Sequence, residues 1–379
     1  MAKAERSTSA AFDGPRLVRR EEREDLEDLM AVSFGFARRP RPAQRRRRRQ
    51  MPGASWVISH GGKPVSHIRV VYNDILVYGC RVKVASIGGV CTHPEYRGQG
   101  IATILLEHCT REAAAAGARL LIISGQRGLY RRAQAVEAGA MLRANLAAGS
   151  TRWRSSGLTV RPAEGEDWAA CARLYQLEPV RFLRPAGVFA QAFGGRWHGE
   201  KWVVESGGEV RAYVVLRREW GSPPGDPRRM VAEYAGSRVA LVGALPRLFA
   251  AGSLREIEFE FPSYDRDLVH LFSARGVKLG PASIRDHTVR LLNLTGLMRA
   301  LRPYAAARLT PGEMRRLSVR HDGERCIFSF EGEEIALGLG QSAALVLGGP
   351  KPPKASGELG RVLGALFPVP LPMPGLNYV

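Results

Sequence analysis

The chain has 379 residues, with 56 Lys and Arg against 36 Asp and Glu, which gives a formal net charge of +20 at pH 7. This length exceeds what one hydrophobic core supports, so two or three domains are expected. The five cysteines are scattered without Cys-x-x-Cys spacing, which argues against a metal site or a disulfide framework and suits a reducing, cytoplasmic compartment. The N-terminus lacks the apolar segment of a secretory signal, and no apolar run reaches the roughly 18 residues of a membrane span.

The basic excess is partly concentrated between Arg38 and Arg49, a segment that contains the unbroken run Arg45–Arg49. Segments that bind nucleic acid usually interleave aromatic residues with the basic ones, and membrane-binding segments are amphipathic. This segment shows neither pattern. We therefore interpret it as a solvated loop and expect neither a specific nucleic-acid partner nor a membrane partner.

Apolar periodicity and turn residues predict a first domain that ends near residue 155. Its predicted elements are, in chain order, a strand at 16–19, a helix at 21–33, strands at 55–59, 64–72 and 82–92, a helix at 100–115, a strand at 119–124 and a helix from about residue 129. This order indicates an antiparallel sheet that continues into a β-α-β unit.

The most informative segment is the predicted strand-to-helix turn from Val90 to Ala102. It contains Arg97-x-x-Gly100-x-Ala102, and a helical pattern begins at once. First-turn amides of a helix lack intrahelical partners, so a glycine-rich turn at this place is a ready-made anion site. Gly98 and Gly100 allow close backbone approach, and Arg97 adds a positive charge. The expected ligand group is a pyrophosphate.

Two features of the first domain recur, in the same order, further along the chain. The strand and acidic helix start from Val18 to Leu26 resembles the segment from Val160 to Trp168. A Trp-Val pair followed by Gly-Gly occurs at Trp56 and again at Trp202. A duplicated domain over residues 156–284 is therefore predicted. Its second copy lacks the Arg-x-x-Gly-x-Ala string, so we expect it to have kept the fold and lost the ligand.

From residue 285 the pattern changes to a third, α+β domain. A helix is predicted at 291–301, strands at 316–321, 326–330 and 334–339, and a helix at 360–367. The last residues, Pro370 to Val379, are apolar and uncharged, unlike a frayed terminus. We expect this segment to be docked.

The string Arg97-x-x-Gly100-x-Ala102 resembles the acetyl-CoA-binding motif of the GNAT superfamily of N-acetyltransferases. The resemblance implies direct acetyl transfer from acetyl-CoA to an amine, with Tyr130 as the general acid for the departing thiolate. A covalent intermediate on Cys91 is not expected, because the family transfers directly. The residues expected to bind acetyl-CoA are Val90, Cys91, Thr92, Arg97, Gly98, Gln99, Gly100, Ile101, Ala102 and Ser124.

Over the whole chain, the domain order resembles the Eis (enhanced intracellular survival) acetyltransferases. The implied fold class is α+β: tandem GNAT folds, the second degenerate, followed by a sterol-carrier-protein-like domain at 285–379. The resemblance also implies a homohexamer, and the α-carboxylate of Val379 as the base for the acceptor amine. This chain departs from the family in the spacing between Ser124 and Tyr130 and in the arginine-rich segment before Trp56, which leaves the acceptor pocket open.

The acceptor could be a small molecule such as an aminoglycoside, or a protein lysine. The high positive charge offers poor steering for a polycation. Two alternatives of other classes are a lipid-binding protein that uses the third domain, and a basic RNA-binding protein regulated by acetyl-CoA. The anion-binding motif disfavours the first, and the lack of interleaved aromatic residues disfavours the second.

Overall fold

The computed structural model describes residues 11–35, 53–150, 153, 157–195, 199–219, 221–223, 225–284, 286–323 and 325–377. The run Arg45–Arg49 and the terminal residue Val379 lie outside the described residues. No helix within these ranges is long and apolar enough to cross a bilayer.

The first sheet and its helices follow the predicted order. The strands are β1 (Asp13–Leu17), β2 (Gly53–His60), β3 (Lys63–Val77), β4 (Cys80–Thr92) and β5 (Leu120–Ser124), and the helices are α1 (Arg23–Phe34), α2 (Ile101–Ala115) and α3 (Gly128–Arg132). The strands lie side by side in chain order, antiparallel except for the parallel pair β4 and β5. The parallel pair is joined through α2, as a β-α-β unit requires.

The second sheet repeats this arrangement. Its own strands are β7 (Thr159–Pro162), β9 (Glu200–Ser206), β10 (Glu209–Arg217), β11 (Arg228–Gly236), β12 (Glu256–Pro262) and β13 (Leu279–Ala282), with helices α4 (Trp168–Gln176), α5 (Ala186–Gly194), α6 (Arg238–Ala251) and α7 (Arg266–Ser273). Again a series of antiparallel strands leads into one parallel pair, β11 and β12, joined through a helix. The duplication predicted from the two Trp-Val segments is therefore a duplication of the fold.

The two sheets exchange strands across both predicted domain boundaries. Strand β6 (Met141–Ala147) follows the first sheet in the chain but pairs with β12 and β13 of the second. Strand β14 (His287–Leu291) follows the second sheet but pairs with β5 of the first. A shorter strand, β8 (Val180–Phe182), also returns to the first sheet, where it pairs with β3. The sheets are thus interleaved, and divisions at residues 155 and 284 do not separate them.

The remaining chain forms a three-stranded antiparallel sheet with helices. The elements are α8 (Leu294–Ala300), α9 (Arg302–Ala306), α10 (Pro311–Arg316), β15 (Ser318–Asp322), β16 (Arg325–Phe330), β17 (Glu333–Gly338), α11 (Leu339–Leu347) and α12 (Gly357–Leu366). The predicted helix at 291–301 begins only at Leu294, because Leu291 ends β14. The mixed α+β content agrees with the prediction. The likeness to sterol carrier proteins stays a prediction.

The third region shares a hydrophobic core with the first sheet. Side chains of β16, such as Phe328 and Phe330, are buried in one cluster with Val84 and Ile122 of the first sheet and with Val289 of β14. This cluster covers part of the face of the first sheet that lies opposite α2. The residues that pack against α2 form a separate cluster. The third region therefore supports the sheet that carries the predicted acetyl-CoA motif.

Candidate active site

The turn between β4 and α2 has the backbone that an anion site needs. Gly98 and Gly100 both have left-handed backbone, with φ of +81° and +76°. A β-carbon at either position would meet no atom within 4 Å, so the glycines are needed for conformation rather than for space. The amides of Gly100, Ile101 and Ala102 donate to no carbonyl among the described residues. These open donors sit at the positive end of the α2 dipole.

The side chain of Arg97 adds positive charge at this turn. The Arg97 Nε donates to the Thr92 carbonyl at 3.2 Å, which ties the side chain to the end of β4. The Gln99 Nε2 donates to the Glu95 carbonyl at 3.4 Å and closes the turn from the other side. Arg97 is exposed, so its guanidinium remains accessible to an anion. The charge, the dipole and the open amides converge on one place.

Strand β4 carries a bulge just before this turn. It pairs with β3 at Cys91↔His67 and at Gly88↔Arg69, with two residues of β4 opposite one of β3 in between. Gly89, in the bulge, has a φ of +59°. The His67 Nδ1 lies 2.9 Å from the Gly89 carbonyl oxygen. Burial lowers the pKa of His67 to about 4, so the ring is neutral at pH 7 and its Nδ1–H donates to that oxygen.

The parallel pair β4 and β5 separates at the same level. Their pairing runs only from Val84↔Leu120 to Ile87↔Ile123, whereas β4 continues to Thr92. The Ser124 hydroxyl donates to the Ile87 carbonyl at 3.4 Å, at the last paired level. Beyond it, the side of β4 that faces β5 has no strand partner within the described residues. The structure thus places Val90, Cys91 and Thr92 along an opening between two strands.

Tyr130 lies at the far side of this opening. It is 2% exposed and shares a hydrophobic cluster with Val90 and Ile101. A β-carbon at Gly125 would be 3.0 Å from Tyr130 Cε2 and 3.8 Å from its hydroxyl oxygen, so the ring lies against Gly125. The structure therefore brings Tyr130, Ser124, the β4 bulge and the α2 turn to the same end of the first sheet.

The exchanged strand β14 holds the segment that leads to Tyr130. The Gly125 amide donates to the Asp286 carbonyl at 2.6 Å, and the Thr288 hydroxyl donates to the Gly125 carbonyl at 3.1 Å. His287, the residue between Asp286 and Thr288, is paired with Ser124 of β5 and is 4% exposed. Sequence reasoning missed these residues, because nothing local in the sequence shows that a strand after the second domain returns to β5.

His287 also lines a cleft that is shared with the second sheet and the C-terminal segment. Arg217 and Glu260 come from the second sheet, and Met373 to Gly375 come from the C-terminal segment. Burial raises the pKa of Glu260, although the Arg143 Nε donates to its carboxylate at 2.9 Å. Through His287, which is paired with Ser124, the cleft adjoins the end of β5.

Cys91 is not placed as a nucleophile. Its side chain packs with Leu26 and Leu29 of α1 and with Val57 of β2, all buried. Burial raises the pKa of the Cys91 thiol to about 11, so the thiolate is scarce at neutral pH. Only the backbone of Cys91 faces the opening as a candidate contact for acetyl-CoA.

The corresponding turn of the second sheet is filled by the protein's own carboxylates. Glu178 accepts from the Gly236 amide at 3.1 Å and pairs with the guanidinium of Arg238, the first residue of α6. Arg238 also donates to Asp265 at 2.8 Å. The carboxylates of Glu178 and Asp265 therefore neutralise Arg238 at this turn, and Glu178 also binds the Gly236 amide just before α6.

We predict that Gly100→Ala weakens acetyl-CoA binding about tenfold, because an L-residue in left-handed backbone costs roughly 1–2 kcal/mol and moves the open amides apart. The matched control is Gly79→Ala in the β3–β4 hairpin, where φ is +85° and a β-carbon also meets nothing. Isothermal titration calorimetry with acetyl-CoA compares the two. Equal affinity in both variants would show that the turn does not hold the ligand.

The comparisons with known proteins agree with this geometry. A family model described as an acetyltransferase (GNAT) domain matches residues 15–134, which contain the β4–β5 opening and Tyr130. No curated protein matches the sequence.

Solved structures resemble the chain over nearly its whole length. A GCN5-related N-acetyltransferase from Kribbella flavida is 18% identical, with a TM-score of 0.62, over 97% of this chain and 98% of that one. A probable N-acyltransferase from Enterococcus faecalis V583 is 14% identical, with a TM-score of 0.65, over 96% and 98%. Eis1 from Mycobacterium abscessus is 16% identical, with a TM-score of 0.61, over 96% and 99%. At these identities the likeness establishes the fold. The chain therefore contains a GNAT acetyltransferase domain and is an enzyme of the N-acetyltransferase class.

Proposed function

We propose that this enzyme transfers the acetyl group of acetyl-CoA directly to a primary amine, in a complex that holds both substrates. The observation that carries the proposal is the opening between β4 and β5, bordered by the α2 turn at one end and by Tyr130 at the other. Acetyl-CoA supplies a thioester that an amine can attack. The C–N bond forms as the C–S bond breaks, so one proton leaves the amine and one reaches the thiolate.

Each part of the first domain has a role in this proposal. The pyrophosphate is held by the backbone amides of Gly100, Ile101 and Ala102. The conformation of the turn is set by Arg97 and the neighbouring residues Gly98 and Gln99. Val90 to Thr92 and Ser124 line the pantetheine arm. Backbone groups freed by the β4 bulge are available to the acetyl carbonyl, in the manner of an oxyanion hole. Tyr130 protonates the departing thiolate.

The base for the acceptor amine is proposed to be the α-carboxylate of Val379. This residue lies outside the described ones, and support comes from the segment before it, which is docked beside the cleft. Of the two alternative functions, lipid binding by the third domain is not favoured by any feature of the described site. The residues that would support RNA binding, Arg45–Arg49, lie outside the described part of the chain.

Tyr130→Phe is expected to lower kcat about 100-fold or more, because a general acid contributes that much, while the acetyl-CoA Kd stays within twofold. The measurement is thiol release with the best amine from an acceptor screen. Tyr304→Phe is the matched control: the Tyr304 hydroxyl donates to the Leu366 carbonyl at 3.0 Å in the third region. Unchanged turnover in Tyr130→Phe removes Tyr130 from the mechanism.

Cys91→Ala is expected to keep kcat within about threefold, because the buried thiol is protonated at neutral pH. Mass spectrometry of enzyme mixed with acetyl-CoA, without an acceptor, should show no acetylated protein. An acetyl group on Cys91, together with loss of activity in the variant, would establish a two-step mechanism instead.

The face of the first sheet that lies opposite α2 carries an arginine that favours some acceptors over others. Arg69 on β3 is half-buried on this face, beside the β4 bulge. Burial lowers its pKa, and it makes no ion pair or hydrogen bond with any described residue. An uncompensated guanidinium repels a polycation and favours a carboxylate or a phosphate. We therefore favour an amine that also carries an anionic group over an aminoglycoside.

Arg69→Met is expected to lower kcat/KM at least tenfold for acceptors that carry a carboxylate and to leave it unchanged for the matched carboxamides. The reason is that Met keeps the apolar stem and removes the charge. Steady-state kinetics on paired acceptors makes the comparison. An equal change for both members of each pair would show that Arg69 does not read acceptor charge.

A further inference from the structure

The C-terminal segment is held by a buried ion pair of the second domain. Arg184, just after β8, and Glu233, on β11, have side chains that are only 1% and 3% exposed. Arg184 donates to the two carboxylate oxygens of Glu233 at 2.9 and 2.6 Å. The Tyr213 hydroxyl donates to the same carboxylate at 2.7 Å, and the Arg184 guanidinium lies 4.1 Å from the centroid of the Tyr175 ring. We call Arg184 and Glu233 the clamp.

The clamp makes direct hydrogen bonds to the end of the chain. The Leu376 amide donates to Glu233 Oε2 at 3.0 Å, and the Arg184 Nε donates to the side-chain oxygen of Asn377. Leu376 and Asn377 are 2% and 4% exposed. The segment therefore completes the polar environment of the clamp rather than only covering it.

Gly375 shows how closely the segment fits. Its φ is +50°, and a β-carbon there would collide with Glu233 Oε2. Only glycine gives both the left-handed backbone and the approach to the carboxylate. The two residues before it, Met373 and Pro374, line the cleft beside His287, which is paired with Ser124 at the end of β5. The clamp thus fixes the segment at the point where it leaves the cleft.

Undocking the segment is unfavourable because of what it would leave behind. A buried carboxylate and a buried guanidinium need their hydrogen-bonding groups filled. The segment supplies a donor to Glu233 and an acceptor to Arg184, so its release leaves charged groups unsatisfied or opens the pair to water. Burial of the clamp and docking of the segment are therefore coupled.

We propose that Arg184 and Glu233 are positioning residues for acetyl transfer, because they hold the C-terminal segment whose last residue, Val379, carries the carboxylate proposed as the base. The inference rests on the proposed role of that carboxylate. It also gives the second domain a part in the reaction through the chain end.

Gly375→Ala tests the proposal without replacing either clamp residue, because the added β-carbon collides with Glu233 Oε2 and displaces the segment. The expected result is a loss of kcat of at least tenfold, with KM for acetyl-CoA within twofold, since the acetyl-CoA residues lie in the first domain. Carboxypeptidase should release the last residues at least tenfold faster than from the wild type, which reports undocking independently of activity. Asn377→Ala should show both effects in milder form and covers the case in which Gly375→Ala does not fold.

The matched control is Gly323→Ala in the β15–β16 turn. Its φ is +54°, close to that of Gly375, but a β-carbon there meets nothing within 4 Å. The variant carries the same backbone strain far from the segment and should match the wild type in kcat and in carboxypeptidase release. Any loss common to both glycine variants is then due to strain and not to undocking.

The outcomes separate this inference from the proposed function. If the wild type is active and Gly375→Ala releases its end faster but keeps full kcat, the clamp does not position a catalytic group. If extending the chain beyond Val379 leaves full activity, the terminal carboxylate is not the base, whatever the clamp does. If the wild type releases no thiol with any amine, the proposed function itself fails.

Discussion

The separation of β4 from β5 is the constraint on which the rest of the site depends. Two parallel strands that stop pairing after Ile87↔Ile123 leave backbone donors and acceptors that need other partners. Three features keep the strands apart: the bulge at Gly89, the turn that leads into α2, and the hydrogen bonds that tie Gly125 to β14. The opening is therefore built into the backbone, and side chains such as Tyr130 only line it.

The strand exchange extends this constraint to the second domain. Five residue pairs join β14 to β5, and seven join β6 to β12, so each sheet contains chain from the other half. Moving the halves apart would break both ladders, each of which includes fully buried residues such as Val289 and Ala144. The cleft between His287 and Glu260 consequently has fixed walls.

The duplicated copies differ at the turn that leads into the helix of the parallel strand pair. Both copies have a parallel strand pair joined by a helix. The first has two left-handed glycines, Gly98 and Gly100; in the second, Ser237 caps α6, and Glu178 accepts from the Gly236 amide and pairs with Arg238. An internal carboxylate therefore neutralises the arginine of the second turn, as a phosphate is proposed to do for Arg97 in the first. The fold is common to both, and the difference lies in a few polar groups.

Local features of the fold and the site could be predicted from the sequence, and long-range ones could not. Arg97 to Ala102 could be recognised because strand, turn and helix start are consecutive, and Tyr130 follows the next strand in the expected place. The exchange of β6 and β14 depends on pairings between residues more than a hundred positions apart, such as Met141 with Pro262. The apolar spacing at Leu291 suits a helix and a buried strand equally well, so the local pattern does not separate the end of β14 from the start of α8. Arg184 and Glu233 stand in ordinary strand-like surroundings, and only the folded chain brings them to Asn377.

The polar contacts of the clamp fix the register of the C-terminal segment, which apolar contacts alone would not do. An apolar contact would hold the chain end with little preference for one register over another, because hydrophobic burial is not directional. The hydrogen bonds that the Leu376 amide donates to Glu233 and that Arg184 donates to Asn377 allow one register only. The close approach of Gly375 to Glu233, which leaves no room for a β-carbon, excludes a shift by one residue. Buried polar groups are best attested in proteins as devices that select a register. A carboxylate that must meet an amine within hydrogen-bond distance needs such a device, and an apolar tail alone would not provide it.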